Sequence, residues 1–222
     1  MKTVRQQIRT LIFLPLGVLC LAMAQAQDDS SESASAPSPP YVGELTGDFS
    51  LTKSFKYLAP PDGSTPSSRQ VQEIDSVKSG PVRKDTEVYA DNTSTTTWRK
   101  DDYRATASSA HPQSIIVNVV TPSASPKAMY KYQDDADFPE LSWIQGPMYQ
   151  GIQMKGGKKC FTYKMDDQTA WIDTETRLPV YFESKMQQVS YTYSAPPNEP
   201  LQLPDGYAEK IEKFKRLLRG QL

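Results

Sequence analysis

Three segments between residues 159 and 194 alternate apolar and polar side chains, and this alternation constrains the fold more than any other feature. The segments are 159–165, 178–184 and 188–194. Because successive side chains of a strand point to opposite faces of a sheet, each segment predicts a strand with one apolar and one polar face. The sequence therefore predicts an antiparallel meander whose apolar face must be buried against something.

The same alternation recurs along the rest of the chain and predicts ten or so strands in all. The run 114–120 is rich in β-branched residues and apolar on both faces, which predicts a central strand. Residues 133–147 are irregular and contain a possible helical turn at 138–144. The remaining predicted strands are 51–57, 71–77, 82–90, 94–99, 103–107, 127–132, 148–154 and 168–172.

The C-terminal segment changes period from two to about 3.6 residues. Tyr207, Ile211, Phe214 and Leu218 recur at helical spacing, which predicts an amphipathic helix over 205–219. Asp205 precedes this pattern as a candidate N-cap, and a glycine at position 220 follows it as a stop.

The predicted strands present more apolar surface than this helix can cover. Ten strands make a sheet about 45–50 Å wide, whereas a helix of about 15 residues is roughly 22 Å long and about 10 Å across. We therefore predict a mainly β fold in which an antiparallel sheet curves into a half-barrel, partly covered by the helix and the 133–147 loop. Two packed sheets are the alternative, and that arrangement would enclose no apolar cavity.

The N-terminal residues have the features of a secretory signal peptide over 1–26. Three basic residues precede an apolar run at 11–22, and Ala24-Gln25-Ala26 is a small-x-small cleavage site. A lipid-modified Cys20 and an uncleaved anchor are the alternatives. Residues 27–40 are predicted to form a disordered linker, and residues 41–222 are predicted to form a single domain. We therefore expect export to the periplasm, with no stable membrane insertion after cleavage.

Charge and residue counts exclude several classes of function. The formal net charge is −1, with charges of both signs scattered along the chain, so nothing indicates a nucleic-acid partner. His111 is the only histidine and has no recognisable partners for a triad. Cys160 would be the one cysteine after signal cleavage. We predict no enzyme activity, no catalytic residue, no metal site and no cofactor, and the oligomeric state stays open.

Acidic and aromatic residues allow other interpretations, each weighed against a structural one. Asp173 with Glu175 forms either an acid/base pair or, as we predict, the cap of a tight turn. The cluster Asp134, Asp135, Asp137 and Glu140 is predicted to be a solvated acidic loop rather than a calcium site. Core packing is favoured over sugar stacking for the three tryptophans, Trp98, Trp143 and Trp171.

Residues 171–180 read Trp-Ile-Asp-Thr-Glu-Thr-Arg-Leu-Pro-Val, which resembles a hairpin of LolA-like periplasmic proteins. That superfamily contains outer-membrane lipoprotein carriers and their lipid-binding relatives. The resemblance extends over about 148–204 and includes the strands on either side of the hairpin. It implies an open half-barrel whose helical lid covers an apolar groove that holds acyl chains.

We therefore predict an exported binding protein whose apolar groove takes a lipid or the acyl chain of a lipoprotein as its ligand. The alternative is a non-catalytic envelope protein, structural or interacting with a partner, with a fully packed β core. The residues predicted to contact the ligand are Trp143, Met148, Ile152, Phe161, Tyr163, Val180, Phe182 and Tyr191.

Overall fold

The computed structural model of the protein describes residues 35–58, 69–119 and 137–220, which belong to one unit, Ser31–Leu222. The predicted signal peptide, the first part of the linker and the predicted strand at 127–132 lie outside the described residues. No helix within them is both long enough and apolar enough to cross a membrane.

Within these described ranges, eleven strands form one antiparallel sheet, so the prediction of a mainly β fold is confirmed. Two 3-10 turns, Pro139–Leu141 and Gly146–Met148, precede the second half of the sheet, and helix α1 (Asp205–Leu218) follows it. The strands are β1 (Phe49–Tyr57), β2 (Val71–Ser79), β3 (Val82–Tyr89), β4 (Ser94–Lys100), β5 (Tyr103–Ser108), β6 (Ile116–Val119), β7 (Tyr149–Lys155), β8 (Lys158–Met165), β9 (Gln168–Asp173), β10 (Pro179–Glu183) and β11 (Gln187–Ser194).

The sheet is built as two meanders joined at β1. The strand order is β6-β5-β4-β3-β2-β1-β11-β10-β9-β8-β7, so β1 pairs with β2 on one side and with β11 on the other. The end strands β6 and β7 do not pair with each other in the described part of the chain, and the sheet stays open. The fold is therefore a single open sheet, a half-barrel, and the alternative of two packed sheets is excluded.

The two halves of the sheet are covered on opposite faces. Residues directly opposite each other in antiparallel strands share a face, so strand register assigns every side chain. The inner face carries Leu51, Val189 and Tyr163, whereas the outer face carries Trp98 and Ala105. The apolar core lies on the inner face of β1 and β8–β11 and consists of Phe49, Leu51, Phe138, Leu141, Ile144, Tyr163, Ala170, Ile172, Phe182, Val189 and Tyr191.

Helix α1 covers the outer face of the other half. The rings of Trp98 and Tyr207 lie 6.0 Å apart, and Lys215 Nζ lies 4.8 Å from the Tyr103 ring centre. Ile211 is buried between them. The predicted helix is thus confirmed. The prediction of Asp205 as its N-cap is wrong, because Pro204 takes that position and Asp205 is the first helical residue.

The prediction of a central strand at 114–120 is wrong. Among the described strands, β6 lies at the edge of the sheet, and Ile116 is 63% exposed. The outer side of this run is apolar because it faces α1, where a Cβ atom added at Gly206 would lie 3.6 Å from Ile115 Cδ1. A β-branched run on both faces is therefore compatible with an edge strand when a helix packs on one of them.

The docking of α1 predicts that Ile211→Ala will lower the free energy of unfolding by about 2–4 kcal/mol, because the variant leaves a cavity between helix and sheet. Urea denaturation followed by tryptophan fluorescence measures the effect. Glu209→Ala, on the exposed side of the same helix, is the matched control and should change stability by less than about 0.5 kcal/mol. Equal effects of the two substitutions would contradict this packing.

Candidate functional site

A row of side chains crosses the inner face of β1 and β7–β11 from one strand to the next. Each member lies directly opposite its neighbours in the register, so the row is continuous over six strands. Ligand pockets are lined mainly by apolar and aromatic side chains of this kind. The members of the row are Phe55, Val189, Phe182, Ala170, Tyr163 and Tyr149.

The structure brings six of the eight predicted ligand residues together on this inner face. Three of them are buried in the core, and the other three pack against it: Tyr163, Phe182, Tyr191, Trp143, Met148 and Phe161.

The other two predicted ligand residues lie outside the apolar core. Ile152 is 41% exposed on strand β7, and Val180 is half-buried without joining the core. A bulge between Pro179 and Tyr181 interrupts the alternation of β10. A bulge shifts the residues on its two sides relative to the faces of the sheet, which explains why Phe182 packs in the core and Val180 does not.

Residues 137–148, which we call the covering segment, lie over the core on the inner face. Phe138, Leu141 and Ile144 are buried, and the Phe138 ring meets the Tyr191 ring edge-on at 5.8 Å. The prediction that a loop in this region partly covers the sheet is confirmed. The space above the apolar row is therefore taken by the protein's own side chains.

A second stretch, residues 41–45, packs beside the covering segment. Tyr41, Val42 and Leu45 contact the core, and Gly43 N–H donates to the carbonyl oxygen of Arg177 over 2.8 Å. A Cβ atom at position 43 would lie 3.3 Å from that oxygen, so glycine permits the close approach of the two chains.

A buried ion pair attaches the covering segment to the sheet. Lys53 is only 6% exposed, and its Nζ donates to Glu140 Oε1 over 3.1 Å and to the carbonyl oxygen of Asp137. Tyr191 Oη donates to the same Glu140 oxygen over 2.6 Å. We call Lys53, Glu140 and Tyr191 the latch.

Burial raises the pKa of Tyr191 well above its ordinary value, and the charge of Glu140 raises it further. Tyr191 therefore stays protonated and donates to Glu140. The Lys53 ammonium also lies 5.2 Å from the Phe138 ring centre and 5.8 Å from that of Tyr191, where a cation is attracted to the aromatic faces. The charged groups of the latch are thus paired despite their burial.

Asp137 forms a second attachment next to the latch. Its carboxylate accepts a 2.7 Å bond from Arg83 Nη1 and a 3.3 Å bond from the backbone N–H of Leu45. Arg83 Nε in turn pairs with Asp85 over 2.9 Å. The prediction of a solvated acidic loop is therefore wrong for Asp137 and Glu140. Lys53 of β1 pairs with Glu140, and Arg83 of β3 pairs with Asp137. Asp134 and Asp135 lie outside the described residues.

Three polar atoms without partners belong to neighbouring side chains beside the core, near the β7–β8 end of the sheet. Tyr149 Oη, Tyr163 Oη and Arg177 Nη1 are buried and make no hydrogen bond. The rings of Tyr149 and Tyr163 lie 5.8 Å apart, and the Arg177 guanidinium carbon lies 4.5 Å from the Phe161 ring centre. We call Tyr149, Tyr163 and Arg177 the tyrosine–arginine cluster.

The two phenols of this cluster are hydrogen-bond donors at neutral pH. Burial raises the pKa of Tyr163 to about 12, although the nearby Arg177 charge acts in the opposite direction. Burial likewise raises the pKa of Tyr149. Both phenols therefore keep their protons and can donate hydrogen bonds to an acceptor.

Sequence reasoning found Tyr163 but missed Tyr149 and Arg177. A bulge between Tyr149 and Gly151 shifts the pairing of β7, so Tyr149 and Ile152 face the same side. Gly151, with a φ of 110°, was the available signal, because a glycine within a strand often marks a bulge.

The remaining candidates for chemistry lie outside the apolar row. His111 is exposed in the turn after β5. Cys160 is buried, and burial raises the pKa of its thiol. Burial acts to raise the pKa of Asp173, but the pKa is lowered overall because its carboxylate accepts the N–H groups of Glu175 and Thr176 and pairs with Lys158. Asp173 thus caps the turn, as predicted.

The three tryptophans lie apart from one another and form no common platform for a sugar, since Trp98 and Trp171 are on β4 and β9, which five strands separate. Trp98 is under α1, and Trp143 belongs to the covering segment, where its Nε1–H donates to the Glu140 carbonyl over 3.0 Å. Trp171 lies on the outer face, where its ring packs on Tyr181 at 5.6 Å. Within residues 35–58, 69–119 and 137–220, no group of three acidic, His or Cys side chains is arranged to hold a metal ion.

A shallow cleft of about 330 Å³ lies where β1 begins and β11 ends. Leu45, Phe49, Leu178 and Tyr193 give it an apolar floor, and Asp48 is among its polar lining residues. None of the eight predicted ligand residues lines this cleft. Two residues that line the cleft, Thr176 and Leu178, flank Arg177 in the chain. The cleft therefore borders the turn that carries Arg177 of the tyrosine–arginine cluster.

Comparisons with known proteins assign no family. No protein-family model matches the sequence, and no curated protein matches it.

The latch predicts that Lys53→Met will lower the free energy of unfolding by about 3–5 kcal/mol, because it leaves the Glu140 charge buried without its partner. Urea denaturation measures this loss. The double variant Lys53→Met/Glu140→Gln should recover at least about 1 kcal/mol of it, since no unpaired charge remains. A double variant whose loss equals the sum of the two single losses would contradict the coupling.

Proposed function

We propose that this protein is an exported, non-enzymatic binding protein that takes an acyl chain onto the inner face of β1 and β7–β11. The chain would lie on the apolar row, in the place that Leu141 and Ile144 of the covering segment now occupy. The ligand class is a lipid or the acyl group of a lipoprotein. Export to the periplasm is part of the proposal and is supported by the sequence of residues 1–26 alone.

The way the covering segment is attached is the observation that carries this proposal. Its backbone hydrogen bonds are local, such as those from Leu141 N–H to the Phe138 carbonyl and from Ile144 N–H to the Leu141 carbonyl. Side chains alone, those of Lys53, Arg83 and Tyr191, bond it to the sheet. The segment can therefore lift without breaking any strand pairing of the sheet.

Lifting the segment would uncover a surface suited to an acyl chain. The row beneath it is apolar from Phe55 through Val189, Phe182 and Ala170, and a flexible chain gains free energy in proportion to the apolar area it buries there. The resemblance of residues 148–204 to LolA-like proteins points to the same ligand class. The scattered charges of the chain give no support to a nucleic acid as partner.

The test is binding of dodecanol, an uncharged acyl-chain probe, measured by displacement of 1-aminoanthracene fluorescence from the full chain. We expect saturable binding, and we expect Glu140→Gln to raise the association rate about threefold to tenfold by weakening the latch. Glu209→Gln, on the exposed face of α1, is the control and should leave the rate unchanged. A folded protein that binds neither probe at micromolar concentrations would refute the proposal.

The second candidate function is an envelope protein that binds a partner through its surface. The filled interior favours it, because the core is closed by Phe138, Leu141 and Ile144 and needs no ligand to complete its packing. In that case the covering segment is a permanent part of the core rather than a lid.

Hydrogen exchange distinguishes the two candidates. If the covering segment lifts, amides of 139–148 should exchange through a local opening, at free energies well below that of global unfolding. Amides of the central strand β1 should exchange only on global unfolding and serve as the internal reference. Equal protection of the two regions would favour the permanently packed core and the second candidate.

A further inference from the structure

The tyrosine–arginine cluster brings several buried hydrogen-bond donors without partners to one end of the inner face. Tyr149 Oη, Tyr163 Oη and Arg177 Nη1 all lack a hydrogen bond, and Tyr163 has no exposed surface. Buried donors are normally satisfied by the protein or by water. Three together indicate a group that the fold itself does not supply.

The three side chains are neighbours, since the Arg177 charge and the Tyr149 phenol both act electrostatically on the Tyr163 phenol. Tyr149 and Tyr163 are directly opposite each other on β7 and β8, with ring centres 5.8 Å apart. The Tyr163 ring also meets the Tyr41 ring at 6.0 Å. Arg177 lies across the Phe161 ring, and its backbone is fixed by the bond from Gly43 N–H.

We propose that the tyrosine–arginine cluster binds the carboxylate of a fatty acid whose chain lies along the apolar row. This inference rests on the proposed function and adds the chemistry of the ligand's head group. The two carboxylate oxygens accept hydrogen bonds from the phenols of Tyr149 and Tyr163, and the Arg177 guanidinium neutralises the charge.

Charge selects a carboxylate over a phosphate ester. Arg177 is the single cation of the cluster, and it makes no ion pair with any described residue. A carboxylate carries one negative charge, which this cation balances, whereas a phosphate monoester carries nearly two at neutral pH. The phenols add donors without charge, because the raised pKa of Tyr163 keeps its proton in place.

The position of the cluster also fits an amphiphile. It lies at the β7–β8 end of the row, and the row continues from Tyr163 through Ala170 and Phe182 to Val189. A head group held at this end leaves the chain on apolar side chains only. The polar and apolar parts of one ligand would thus meet matching surfaces in a single orientation.

The experiment compares dodecanoate with dodecanol and dodecyl phosphate as competitors for 1-aminoanthracene on the full chain. We expect dodecanoate to bind about tenfold or more tightly than dodecanol, since hydrogen bonds to a charged group are among the stronger ones. Tyr163→Phe, which removes only the hydroxyl oxygen, should weaken dodecanoate about threefold to tenfold and leave dodecanol unchanged. Arg177→Met should abolish the preference.

Arg104→Met is the matched control, because Arg104 is also a half-buried arginine with an unpartnered Nε, on strand β5 away from the cluster. It should not change the preference for dodecanoate. Thermal unfolding of each variant confirms that it is folded, and Tyr163→Phe serves as the decisive variant if Arg177→Met does not fold.

The outcomes separate the two proposals. Equal binding of dodecanoate and dodecanol, unchanged in Tyr163→Phe, overturns the carboxylate site, leaves the binding function standing and assigns the cluster to buried water. A preference for dodecyl phosphate likewise overturns the carboxylate assignment. Failure of every probe to bind the folded chain overturns the binding function and the head-group site with it.

Discussion

The ion pair between Lys53 and Glu140 is the interaction on which the inner face depends. Taking two charges out of water is costly, and the cost is offset only when both groups are fully hydrogen-bonded. Here the Asp137 carbonyl and the Tyr191 hydroxyl supply the additional bonds. Because these partners come from β1, β11 and the covering segment, the apolar side chains of that segment are positioned by a polar contact at their edge.

The two halves of the sheet solve the same burial problem in different ways. On the half next to β6, a regular helix covers the outer face, and small residues such as Ala105 let it approach closely. On the other half, an irregular segment with mostly local backbone bonds covers the inner face. Helix α1 buries only Ile211 against the sheet, whereas the covering segment inserts Phe138, Leu141 and Ile144 into the core. A few side chains around Lys53 and Arg83 bond that segment to the sheet. Under the proposed function, the covering segment is the cover that a ligand would displace.

The strands and the helix could be predicted from the sequence because their patterns are local. The latch could not, because Lys53 and Glu140 are 87 positions apart; the one local signal was a lysine between Leu51 and Phe55, at an apolar position of its strand. Bulges caused the other errors. They moved Tyr149 into the site and Val180 out of it, and a bulge depends on strand pairing that alternation alone does not encode.

Satisfied and unsatisfied polar groups lie side by side on this inner face. The buried hydroxyl of Tyr191 is bonded to Glu140, whereas the buried hydroxyl of Tyr163 has no partner. An unmade bond at a buried group costs about 1–3 kcal/mol, so a fold gains stability by replacing such a tyrosine with phenylalanine unless the hydroxyl has another use. The latch shows that this sheet can pair buried polar groups across distant segments. Against that background, the polar group of a ligand would supply the partners that these three neighbouring donors lack.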